Sequence, residues 1–170
     1  LTLGEGIDAK LNLRVHHLAA RLAAAPLAGI RELTPAYNSL LIHYDPLLLS
    51  YAQVETWVLQ HAAPEEETAA QPARCVEIPT RYGGEYGPDL EFVARHNGLT
   101  PAEVIQIHTA AEYTVYLMGF TPGFPYLGGM DERIAAPRLA SPRTSIPAGS
   151  VGIAGKQTGI YPLASPGGWQ

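Results

Sequence analysis

Apolar residues recur every three or four positions early in the chain and at every second position soon after, and this change of period marks the first elements. Leu11, Val15, Leu18 and Leu22 share one face of a helix predicted from Asp8 to Ala25, with Asp8 placed to cap it and Pro26 and Gly29 to end it. IRELTP and NSLLIHY, separated by PAY, predict a hairpin that stops at the Asp45-Pro46 break. Ser50 to Gln53 has capping-box form, and Val54, Trp57, Val58 and His61 lie on one face of the helix it starts. With LTLGEG read as the tail of a strand, this half is βαββα, and layer packing puts both helices on one face of a small sheet.

The pattern changes near residue 72. Only 3 of the 17 glycines and 5 of the 15 prolines fall in residues 1–78. APEEETAAQPA, with three consecutive acids between two prolines, has the composition of a solvated connector. Beyond it, Arg74 to Pro79 reads as a strand that includes Cys75 as a small core residue. A helix is expected from Pro88 or Asp89 to Gly98, and the capping box Thr100-Pro-Ala-Glu103 starts another that carries Val104, Ile105 and His108. Glu112 to Met118 alternates as a strand with both faces apolar, and after Gly119 short apolar segments separated by turns suit a small irregular β-barrel.

Charge and cysteine content narrow the function. Net charge is −5 with the 11 Lys and Arg scattered, which argues against nucleic acid as a partner. No apolar run approaches the roughly 20 residues that cross a bilayer. One cysteine excludes an internal disulfide and fits a reducing cytoplasm, and the histidines lack metal-ligand spacing, so no metal is expected.

Three segments could carry chemistry. In GFTPGFPYLGG, proline fixes φ while glycine frees it, so the loop has one path, and Phe120, Phe124 and Tyr126 on it either wall a cleft or enter the core at a rigid corner. In PRTSIPAGSVGIAGKQTGIYP the glycine spacing matches neither dinucleotide nor P-loop patterns. Arg143 there offers a planar fork for a carboxylate or phosphate, and Gln157 and Thr158 offer neutral hydrogen-bonding groups at a turn; taken singly, each reads rather as turn hydrogen bonding or, for Arg143, a solvated arginine. His108 is a candidate base, or a favourable cation near a helix C-terminus.

YGGEYGPDL, the run HTAAEYTVYLMGFTPGFPYLGGMDERI, PRTSIPAGSVGIAGKQTGIYP and SPGGW resemble the family of the 5-oxoprolinase B subunit, also described as allophanate hydrolase subunit 1 and as the sporulation-kinase inhibitor family. The resemblance spans essentially the whole chain. It implies an α+β N-terminal domain (1–63), a linker (64–72) and an all-β cyclophilin-like barrel (73–170), which is expected to be truncated at its C-terminal end because the family's further strands do not follow SPGGW. It also implies a non-autonomous component that works with an allophanate hydrolase subunit 2-like protein (the 5-oxoprolinase C subunit) and with the A subunit, using ATP to open 5-oxo-L-proline to L-glutamate. On that reading His108 is the catalytic candidate, and Arg143, Gln157, Thr158, Phe124 and Tyr126 line the substrate cleft. The alternative is a protein inhibitor of a sensor histidine kinase. A carboxyltransfer role ranks last, because no biotin-bearing segment occurs in the sequence.

Overall fold

The computed structural model describes residues 1–62 and 74–170. The connector expected at 64–72 lies outside the described residues. The chain divides into two compact units, Leu1–Glu77 and Ile78–Gln170.

In the first unit, α1 (Ala9–Ala24) starts where the Asp8 carboxylate accepts the Leu11 amide at 2.9 Å, as its sequence position predicts. Strands β1 (Ile30–Pro35) and β2 (Leu40–Tyr44) form the antiparallel hairpin, in register from Glu32 against His43 to Pro35 against Leu40, with a one-residue shift between Glu32 and the Ile30–Tyr44 pair. Helix α2 (Tyr51–His61) begins with a complete Ser50–Gln53 capping box. Val15, Leu18 and Leu22 of α1, Leu40 of β2, and Val54, Trp57 and Val58 of α2 make one core. Each such side chain contributes about 1.5–3 kcal/mol on burial. LTLGEG forms no strand of its own and joins the hairpin by a single bridge, Thr2 to Ser39.

The second unit is mixed α/β with antiparallel sheets. Helix α3 (Leu90–His96) is short, and α4 (Pro101–Ala110) carries the expected capping box of Thr100 and Glu103 with Pro101 in its first turn. Strands β3 (Thr114–Met118), β4 (Pro125–Gly128), β6 (Val151–Ala154) and β7 (Gln157–Ile160) form one sheet in the order β3-β4-β7-β6; β5 (Arg143–Ile146) pairs with β8 (Ser165–Gly167) in another.

Several expectations need correction. The unit is not all-β, since α3 and α4 cover one face of its sheet through Val93, Ala94 and Val104, which share a core with Ile153 of β6. Among the described residues no barrel closes either: β3 and β6 end the sheet, and the outer side of β6 is taken by paired backbone bonds between Ile153 and Gln170. Arg74 to Pro79 forms no strand, and Cys75, Val76 and Ile78 are exposed. Alternating apolar residues make a strand only where another strand supplies the ladder, and none does so here among the described residues.

Candidate functional site

Strand alternation divides the candidate residues between the two faces of the four-stranded sheet. Thr158 pairs with Ile153 and faces the helices, whereas its neighbours Gln157 and Gly159 face the other way. Gln157 and Thr158 therefore do not present their side chains to one ligand from the same face.

On the helix face, the last turn of α4 carries His108 against the sheet, and His108 is buried. Its Nε2 lies 3.2 Å from Thr158 Oγ1, and the Thr158 hydroxyl donates at 2.9 Å to the carbonyl of Gly152. With its hydrogen so committed, Thr158 can only accept from Nε2–H. This leaves Nδ1 as the acceptor, and Tyr82 donates to it at 2.6 Å. Tyr113 closes the group by donating to the His108 carbonyl at 2.6 Å. Burial holds the His108 pKa below and the Tyr82 pKa above their ordinary values, so both groups stay neutral near pH 7. Tyr113 is pushed up to about 12 by burial and by its neighbours Tyr82 and Asp131. Both nitrogens of His108 are engaged, so any proton it exchanges with a ligand passes through the half-buried Tyr82.

The opposite face is aromatic. Phe124 is 1% exposed and meets Tyr126, Tyr161 and Trp169 edge-on, at ring separations of 4.9, 5.1 and 5.6 Å. Two glycines make the room: a Cβ at Gly159 would stand 2.8 Å from the Phe124 ring, and one at Gly152 would stand 2.9 Å from the Trp169 Cβ. The loop joining β3 to β4 is held by Thr121 N–H to Gly119 O and Phe124 N–H to Thr121 O. Its bend puts Phe120 at φ 63°, a conformation that non-glycine residues rarely adopt. Phe120 is 59% exposed and leans on Phe124 and Tyr161. Beside it opens a hollow of about 300 Å³ lined by residues 118–123, into which none of the six candidate side chains projects.

Arg143 sits at the edge of this face. Asp89, which would cap α3 by position, makes no such bond and instead accepts from Arg143 Nη2 at 2.7 Å; Arg143 Nη1 reaches the Trp169 carbonyl at 3.5 Å. The pair is partly exposed, at 36% for Arg143 and 19% for Asp89. The structure thus joins His108 to Thr158, and Phe124 to Tyr126, and commits Arg143 to a carboxylate of its own chain. Sequence reasoning did not single out Tyr82, Tyr113, Tyr161 or Trp169 for the site. No local spacing connects Tyr82 to His108 or Trp169 to Phe124, since each contact depends on the packed sheet.

Residues 1–170 match the model of the carboxyltransferase domain, subdomain C and D. The chain belongs to this family. It is 51% identical to the 5-oxoprolinase B subunit of Bacillus subtilis (strain 168), over 100% of this chain and 75% of that protein. It is 46% identical to the 5-oxoprolinase B subunit of Escherichia coli O157:H7, over 92% of this chain and 71% of that protein. The solved structure of TTHA0988 superposes with a TM-score of 0.85 at 43% identity, over 99% of this chain and 33% of its own. The chain thus spans about a third of the length of that solved chain. These names lend no support to the kinase-inhibitor alternative.

Proposed function

We propose that this chain is the B-type component of an ATP-dependent 5-oxoprolinase, a cytoplasmic assembly that opens 5-oxo-L-proline to L-glutamate. The observation that carries this reading is 51% identity, along the whole chain, to a protein named as the B subunit of 5-oxoprolinase. On this reading the chain is not autonomous; its partners are the A subunit and the allophanate hydrolase subunit 2-like C subunit, and the reaction is hydrolysis of a lactam amide. The second unit would be the cyclophilin-like domain, a reading supported by its short antiparallel strands and its glycine- and proline-fixed turns.

Among the described residues the glycine-rich turn between β6 and β7 offers no free cation for a nucleotide's phosphates. Lys156, in the glycine-rich turn between β6 and β7, is paired at 2.8 Å with Glu132, and both are exposed. ATP is therefore assigned to the assembly. What this chain supplies is binding and orientation. The partly exposed Tyr126, held in place by the buried Phe124 behind it, would meet the lactam ring. The Tyr82–His108–Thr158 chain would hold one hydroxyl with its proton in a fixed direction.

The test is reconstitution. The three subunits together should release glutamate and inorganic phosphate in response to 5-oxo-L-proline, and this chain by itself should release neither. Turnover by the isolated chain would remove the dependence on partners, and an inactive complete complex would remove the substrate.

A further inference from the structure

Resting on the reading above, Arg143 was the expected anchor for the substrate carboxylate, yet its guanidinium already serves Asp89. A second arginine lies on the same side of the unit. Arg138 is exposed, and its guanidinium carbon stands over the Trp169 ring at 6.0 Å from the centroid. Its position is fixed from both sides: the Gln170 side chain donates to the Pro137 carbonyl at 3.0 Å, and the Leu139 amide donates to the Gly168 carbonyl at 2.7 Å. Among the described residues Arg138 forms no ion pair.

We propose that Arg138, held over the Trp169 ring, is the carboxylate-binding cation of this chain, and that the Arg143–Asp89 pair is structural. A guanidinium held over an indole and without an ion-pair partner keeps N–H donors free for a carboxylate, which arginine can take through two parallel bonds. The local charge sets the ligand class. Asp89 cancels Arg143, so one net positive charge remains, which suits a monocarboxylate better than a phosphate dianion. Beneath it the buried Trp169 is packed on both Phe124 and Tyr126, which gives the arginine a rigid support, so the group recognised at the exposed guanidinium is a single carboxylate on a small molecule.

Trp169 supplies the readout. The full-length protein is labelled with 5-fluorotryptophan, and the Trp57 resonance, from the core of the first unit, serves as the internal control. Spectra are taken of the isolated protein and of the reconstituted assembly, with 5-oxo-L-proline, N-acetylglycine, 2-pyrrolidinone and inorganic phosphate as probes. The two monocarboxylates should move the Trp169 resonance saturably and leave Trp57 in place, whereas 2-pyrrolidinone and phosphate should bind at least about tenfold more weakly. Arg138→Gln should weaken the carboxylate response at least tenfold, and Arg138→Lys should restore part of it. A Trp169 signal indifferent to both carboxylates in both preparations overturns the proposal. So does an unchanged response in Arg138→Gln, or phosphate binding as tightly as the carboxylates. If the assembly fails to turn over 5-oxo-L-proline while Trp169 still answers carboxylates through Arg138, the enzymatic reading falls and the subsite stands.

Discussion

The two faces of the β3-β4-β7-β6 sheet treat their polar groups differently. Under the helices, Tyr82, His108 and Thr158 pass hydrogen bonds in one direction until the last ends on a backbone carbonyl, so the network consumes its own capacity. On the aromatic face, stability comes from rings packed edge to face, and the charged groups stand at the rim, where Arg138 has no carboxylate among the described residues. A satisfied buried network specifies one arrangement of the core, whereas an uncommitted cation beside a rigid apolar floor retains capacity for a ligand. The difference teaches that the most perturbed groups in this unit need not be the ones that meet substrate.

The largest effect separating the faces is expected from Phe124→Ala, which removes the central ring of the aromatic cluster and should cost about 3–5 kcal/mol by denaturant or thermal unfolding. Next is Thr158→Val, which deprives His108 Nε2–H of its acceptor and should cost about 1–3 kcal/mol in the same assay. The helix face should also show itself in pH. Burial lowers the folded-state pKa of His108 below its ordinary 6.5, so the unfolded chain binds the proton first. Stability should therefore be full above that ordinary value and fall as pH drops through the window between it and the lowered folded value. The slope there is at most about 1.4 kcal/mol per pH unit. A His108→Gln variant should lose that component, and an unchanged profile would show that His108 is not buried neutral. Smallest is the rim: a double-mutant cycle of Asp89→Asn and Arg143→Gln should give a coupling of about 1 kcal/mol or less, because the pair is partly exposed.

Local signals in the sequence placed most of the elements. The Asp8 cap, the two capping boxes and the PAY hairpin are each decided within a few residues, and the structure has all of them. Arg74–Pro79 misled because its alternation carried no information about whether a partner strand existed. The site was legible only in residue types. His108 and Thr158 were named singly, but their contact spans 50 positions and depends on α4 lying over β7. Reading Gln157 and Thr158 as a joint ligand pair treated them as a turn, whereas in strand β7 they point to opposite faces. Arg138 and Arg143 are chemically equivalent in sequence, and only Asp89, 54 positions from Arg143, tells them apart.

Steady-state kinetics of the reconstituted assembly with 5-oxo-L-proline as the varied substrate tests the division of labour between these two arginines most directly. Arg138→Gln should raise KM at least about tenfold, near 1.4 kcal/mol, with the melting temperature of the isolated protein unmoved, while Arg143→Lys should raise KM by a smaller factor. A tenfold rise in KM for Arg143→Lys beside an unaltered KM for Arg138→Gln would contradict it.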